Sequence, residues 1–335
     1  KGRRYKAGPD LRASRSEIGP RLRRATATPP SRMLFPPGLR PTLAPPGVFR
    51  RTPRTMPATP FETAVTLAEY SLILLGLVLC WRLILRPAAR ARQRAAGPGL
   101  APWNPTVADF LLYVFLILGG GLLASLAAGY LLNSFQLSVD TKTLLSSAAF
   151  QFGLLTGAAL VPLKLGRSAQ TDSSNYSTLS SGLATFLIAL PIVTVTNLTW
   201  LGVLKVTGLP TEQQDLLRMF SQTDSKAMLA LMILLATVVA PISEELLFRA
   251  TIFRYLRTRL PRWLALLLPG AIFAALHVNW TGGSLDGLPS FLPLVSLAVI
   301  FSLAYERTGR IGTAIIAHAL FNLHTIILLF AGVMP

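Results

Sequence analysis

Residues 227–249 read AMLALMILLATVVAPISEELLFR. No side chain from Ala227 to Ser243 is ionisable, which suits a helix crossing a hydrocarbon core ~30 Å thick and needing ~20 mostly apolar residues. The run then closes on two adjacent carboxylates and an arginine, Glu244, Glu245 and Arg249. An ionisable group at membrane depth costs roughly 2.5–3.5 kcal/mol on insertion scales, so each one requires a reason. The stretch therefore sets the fold class, an all-α bundle of transmembrane helices, and marks where chemistry would sit.

Seven more apolar stretches accompany it. The eight expected spans run over approximately 63–85, 108–133, 143–163, 181–204, 227–248, 263–279, 288–305 and 311–332. Pro191, Pro241 and Pro269 fall inside them, which membrane helices tolerate when neighbours satisfy the freed backbone. The small-residue runs starting at Gly119 and Gly157 would let two successive helices approach closely. Composition agrees: of 335 residues 52% are hydrophobic and only 14% charged, with a mean hydropathy of +0.52. The net charge of +18 suggests nucleic acid at first sight, but nucleic-acid binders are rich in charge and this chain is not. The single cysteine, Cys80, excludes an internal disulfide framework and any multi-cysteine metal site.

The charge is distributed unevenly. Residues 1–55 hold 14 Lys/Arg against 2 Asp/Glu, together with 10 prolines. They show no apolar period and read as a disordered basic tail. It is either an arm for anionic lipid or RNA, or an upstream extension foreign to the native protein, with Met33 or Met56 as the start. Residues 56–179 then form the N-terminal membrane helices, and 180–335 a second, chemistry-bearing unit.

Orientation follows from the basic residues of the short connections. Those after the odd-numbered spans carry 12, including Arg86, Arg90, Arg254, Arg262 and Arg310, against four after the even-numbered spans, Lys142, Lys205, Arg218 and Lys226. Odd spans should end in the cytoplasm, with both termini outside. Counting the basic tail would reverse that bias, which favours a chain starting near Met56 over one in which the first segment does not span.

Two further apolar spans contain histidine: Phe273-Ala-Ala-Leu-His277 and His318-Ala-Leu-Phe-Asn322. At ~100° per residue, Glu245 and Arg249 share a helix face and can pair, leaving Glu244 rotated away and free for a cavity. His318 and Asn322 likewise face one space, and Phe273 packs one turn before His277. A carboxylate, two imidazoles and an amide in a low-dielectric pocket can activate water and stabilise an oxyanion. A lone Glu-Glu-Arg at a helix end is commonly an interfacial cluster, and a lone membrane histidine commonly a packed one. Three such segments in successive apolar spans are harder to dismiss. His324, ~240° around the helix from His318, reads as structural, and Glu62 and Glu69 as outer-face or packing groups.

These segments resemble the three motifs of the CAAX-protease and bacteriocin-processing family of intramembrane proteases, which includes the Ras-converting enzymes. Glu-Glu-x-x-x-Arg is matched by Glu244, Glu245 and Arg249; Phe-x-x-x-His by Phe273 and His277; His-x-x-x-Asn by His318 and Asn322. The resemblance covers roughly residues 180–330. It implies an endopeptidase without cofactor, in which Glu244 is the base that deprotonates a water held with the help of His277. His318 and Asn322 would stabilise the oxyanion, Glu245 with Arg249 would shape the site or meet a charged part of the substrate, and Phe273 would pack. The implied partners are the bilayer and a membrane-associated peptide or protein, not nucleic acid. The Ala/Arg/Pro/Gly-rich composition points to a bacterial cytoplasmic membrane.

Two alternatives stay open. Glu244, His277 and His318 could form a His₂Glu zinc site with an open position for water, although His-Glu-x-x-His is absent. A non-catalytic transporter or scaffold could use the same residues to relay protons or bind a partner. One tension concerns depth, since Glu244 lies at the end of its expected span whereas His277 lies ~22 Å beyond Arg262 at 1.5 Å per residue.

Overall fold

Among the described residues every regular element is helical. A computed structural model describes residues 59–165, 177–211, 220, 225–278, 285 and 287–333, of which 161–165 by backbone alone. The basic segment 1–55, with Met33, and also Met56, Arg167 and Arg218, lies outside the described residues.

Helix α1 (Pro60–Cys80) continues through a π turn, Trp81–Leu85. It starts on a capping box in which Thr59 accepts from the Glu62 amide and Glu62 reaches back to the Thr59 amide, satisfying two first-turn donors reciprocally. A short basic helix, α2 (Pro87–Ala96), follows. Next come α3 (Val107–Leu132), capped by Thr106, α4 (Val139–Leu165) and α5 (Thr178–Thr207), which ends at Gly208 in the left-handed region. A long helix, α6 (Lys226–Arg257), is succeeded by a shorter one, α7 (Arg262–Ala275). The last two are α8 (Phe291–Thr308), stopped by Gly309 at φ 68°, and α9 (Ile311–Phe330).

Seven helices are long and apolar enough to cross a membrane: α1 with its π turn, α3, α4, α5, α6, α8 with its preceding turn, and α9. The protein is a multi-pass integral membrane protein. The expected sixth span, 263–279, is the exception. It coincides with α7, whose 14 residues extend only ~21 Å, less than the hydrocarbon core. Beyond Ala275 the chain tightens into i→i−3 bonds, His277 N–H to Ala274 at 3.0 Å and Val278 N–H to Ala275 at 3.3 Å, a common way for a helix to end.

Helices α3 and α4 pack backbone to backbone. A Cβ on Gly120 would stand 2.5 Å from the Gly153 carbonyl oxygen, and one on Gly157 only 2.1 Å from that of Leu116. The small-residue runs thus act as read from the sequence, letting two membrane helices approach beyond the limit set by side chains. Four apolar clusters fill the bundle. One joins Phe186, Leu190, Leu297, Phe301 and Ala314 from α5, α8 and α9. Another joins Ile117, Leu154, Leu247, Phe273 and Ala298 from α3, α4, α6, α7 and α8, next to the ionisable residues.

Candidate active site

The geometry begins with proline. Pro241 cannot donate a backbone hydrogen bond, and its ring crowds the carbonyl four residues back. Helix α6 meets this by widening into a π turn at Leu235–Val239, just before the regular segment Ala240–Glu245, and widens again over Leu246–Phe253. Such widened turns recur at functional sites because they leave carbonyls free and turn side chains to new directions. One carbonyl in the first widened turn, that of Ala236, accepts from Asn322 Nδ2 at 2.8 Å. Ser243 fills the same region, its hydroxyl 3.1 Å from the Val239 carbonyl and 3.0 Å from that of Ala240. It also bonds the side-chain oxygen of Gln151 on α4.

The regular segment ends on the two carboxylates, which have unlike surroundings. Glu245 is 0% exposed and Arg249 1%. Arg249 Nη1 lies 2.9 Å from Glu245 Oε1, an ion pair by distance though not aligned as a hydrogen bond. The same oxygen is 2.9 Å from His318 Nδ1 on α9. Since a carboxylate can only accept, Nδ1 carries the proton, and the other ring nitrogen, Nε2, points away from Glu245. It faces Glu244 Oε2 at 3.8 Å, beyond direct hydrogen bonding. Glu244 keeps 17% of its side chain exposed. One carboxylate is thus neutralised and buried, the other accessible and facing an imidazole.

Aromatic rings hold this arrangement. The Arg249 guanidinium sits over Phe273 at 5.1 Å and over Phe301 at 5.6 Å, where the ring faces favour a cation. Phe301 stacks on His318 with centroids 5.3 Å apart, and Phe273 meets it edge-on at 6.2 Å. Phe273 also packs against His277 at 4.6 Å. His277 Nδ1 donates to the Phe273 carbonyl at 2.7 Å, which leaves Nε2 as the available nitrogen.

Glu244, Glu245, Arg249, Phe273 and His318 therefore converge. His277 joins them through Phe273, and among the described residues no hydrogen bond or ion pair links it to Glu244 or His318. Asn322 lies one turn beyond His318 with its amide on Ala236. Among the described residues no three His, Cys, Asp or Glu side chains converge as metal ligands do. Within the zinc alternative's donor set, one nitrogen of each histidine is already committed, to Glu245 and to the Phe273 carbonyl.

The depth tension disappears with the true length of α6. This helix does not stop at 248 but runs on to Arg257. Glu244 therefore lies 13 residues inside its basic end, ~20 Å, close to the ~22 Å that separates His277 from Arg262.

Sequence reasoning missed Gln151, whose partner Ser243 precedes Glu244, and the pairing of His324 with Glu69 on α1. Gln151, an amide in the middle of an apolar span, was a visible signal; the Glu69 pairing joins residues too far apart for any local pattern to reveal.

Residues 226–324, from the start of α6 into α9, match the family model described as type II CAAX prenyl endopeptidase Rce1-like. That interval contains all three motifs. Residues 226–324 belong to the CAAX-protease and bacteriocin-processing family. The chain is 32% identical over 94 residues to UPF0177 protein YbdI of Lactococcus lactis subsp. lactis (strain IL1403), a stretch covering 28% of this chain and 46% of that protein. It is also 32% identical over 98 residues to a Bacillus subtilis (strain 168) protein named "Putative membrane peptidase YdiL", covering 29% of this chain and 37% of the relative. The chain thus spans less than half the length of the curated relatives it matches. No solved structure matches it.

Proposed function

We propose that the protein is an intramembrane endopeptidase that hydrolyses a peptide bond in a membrane-associated polypeptide, acting in a bacterial cytoplasmic membrane. The reading rests above all on the accessible Glu244 carboxylate facing an imidazole whose far nitrogen is tied to a buried ion pair. Glu244 takes a proton from water as the oxygen attacks the scissile carbonyl, forming a C–O bond and a tetrahedral oxyanion. The C–N bond then breaks, and the proton held by Glu244 passes to the leaving amine.

The other residues take graded roles. Glu245 orients His318 by accepting from Nδ1, and Arg249 lies beside Glu245 with the opposite charge. With both nitrogens protonated, Nδ1–H on Glu245 and Nε2–H on the Glu244 side, His318 steadies the developing charge; the neutral Nδ1–H form has no proton at Nε2 to give. Asn322 has a second amide hydrogen besides the one on Ala236, which can serve the oxyanion. His277 Nε2 helps hold the water, and Phe273 separates and positions the two imidazoles. Donors already in place when charge develops cost no reorganisation, the source of most oxyanion stabilisation.

The test is cleavage of membrane-associated peptides by the protein in reconstituted vesicles. Glu244→Gln, which keeps shape and removes the base, should lower the rate by ~10²–10⁴-fold. Unaltered cleavage by that variant would end the proposal. A strong chelator should leave the wild-type rate unchanged; loss of activity restored by added zinc would move the reading to the metal mechanism.

A further inference from the structure

Between α3 and α4 lies a groove of about 630 Å³. Its polar lining comes from Ser125 and Asn133 on the α3 side and from Lys142, Ser146, Ser147 and Gln151 on α4. Lys142 and Ser146, and Ser147 and Gln151, are each four residues apart, so the α4 residues form a broad stripe over about half of the helix. The stripe runs inward from Lys142 to Gln151, nine residues or ~13 Å. Its inner end is the amide bonded to Ser243, the residue before Glu244.

The stripe is unusual in how little of its hydrogen-bonding capacity is used. Thr143, in the same lining, bonds back to the carbonyl four residues earlier, as Thr156, Thr185 and Thr194 do elsewhere in the spans; the other groove residues do not. The side chains of Ser125, Asn133, Lys142, Ser146 and Ser147 have no partner among the described residues. Polar groups left unpaired in hydrocarbon cost several kcal/mol each and do not persist there. Polar side chains at membrane depth line water-filled cavities or pair with one another, and Ser125, Ser146 and Ser147, which lie inside the spans, do not pair. The volume far exceeds one water's ~30 Å³ share of the liquid.

We infer that this groove is a hydrated vestibule, the route by which water reaches the Glu244 carboxylate, with Gln151 at its inner end. Peptide hydrolysis consumes one water per bond, and Glu245, Arg249 and the surrounding aromatic rings wall off the opposite side of the site. A vestibule along α4 supplies that water without opening the aromatic core. Its role as a supply route rests on the endopeptidase reading; its hydration does not.

The groove can be probed with Cys80 replaced by alanine and single cysteines placed at Ser146, Ser147 or Leu154 on α4, or at Leu122 on α3. The protein would be held in nanodiscs, where both faces are open to a charged methanethiosulfonate reagent. Thiol modification requires the thiolate, which forms only where water is present, so Ser146→Cys and Ser147→Cys should react at least ~10-fold faster than buried Leu154→Cys and lipid-facing Leu122→Cys. Equal rates at all four positions would overturn the vestibule. Fast labelling at Ser147→Cys that leaves peptide cleavage unchanged would overturn its role as the supply route. Fast labelling of a protein that cleaves no peptide at all would leave the vestibule standing and count against the endopeptidase instead.

Discussion

At the residue scale, Glu245 shows how burial decides which of two adjacent carboxylates can act. It shares one oxygen between Arg249 and His318, so its charge is balanced and its position fixed. Removing one partner of a buried pair leaves an uncompensated charge and typically costs ~3–5 kcal/mol, whereas replacing both with apolar groups is often neutral. Arg249→Leu should therefore lower the thermal midpoint in detergent sharply, and Glu245→Gln combined with Arg249→Leu should recover much of that loss. Cleavage should not recover, because His318 would still lack its charged acceptor. A double variant as unstable as Arg249→Leu alone would show that the pair is not the main electrostatic balance of the site. The i,i+4 spacing made the Glu245–Arg249 contact legible in the sequence. The bond to His318, 73 residues away on another helix, was not, since a local period carries no information about which helix faces which.

At the scale of elements, the decisive features are a widened helix and a close helix pair. Pro241 was visible, but its effect on the turn before it depends on neighbours that supply donors, here Asn322 and Ser243. Asn322→Leu should therefore destabilise the fold by ~1–3 kcal/mol, the cost of leaving a half-buried carbonyl unpaired, measurable as a lower unfolding midpoint. The α3–α4 contact allows a sharper prediction. Since a Cβ on Gly157 would fall 2.1 Å from the Leu116 carbonyl oxygen, even Gly157→Ala must push the helices apart. It should cost at least the ~1–3 kcal/mol of an overpacked core. Gly129→Ala, which meets nothing within 4 Å, is the matched control and should be stable. Helix α6 is longer than the expected span 227–248 for a related reason. After Phe248 the sequence becomes polar, which reads as a span ending, yet the helix continues through Arg254 and Arg257 because their side chains find partners at its basic end.

At the scale of the molecule, those partners place several helix ends on one face. The Leu100 amide donates to the Glu306 carbonyl at 3.0 Å, at the end of α8. Thr258 and Arg259, just past α6, donate to the Trp103 and Pro105 carbonyls. Arg257 and Arg262 both pair with Glu306. The segment after α2, the end of α6, the start of α7 and the end of α8 are therefore neighbours, so the short α7 and the α8 that follows it lead away from this face and return to it. Lys142, at the start of α4, belongs to the opposite end if α3 spans, since α3 leads away from this face. Basic connections remain in the cytoplasm because moving them across the membrane is unfavourable. With Cys80 replaced, a cysteine at Ala96, at the end of α2, should react in intact spheroplasts only after the membrane is opened. One at Ser138, between α3 and α4, should react from outside. Reaction of Ala96→Cys from outside in intact spheroplasts would invert the topology, and with it the side from which the groove along α4 draws its water.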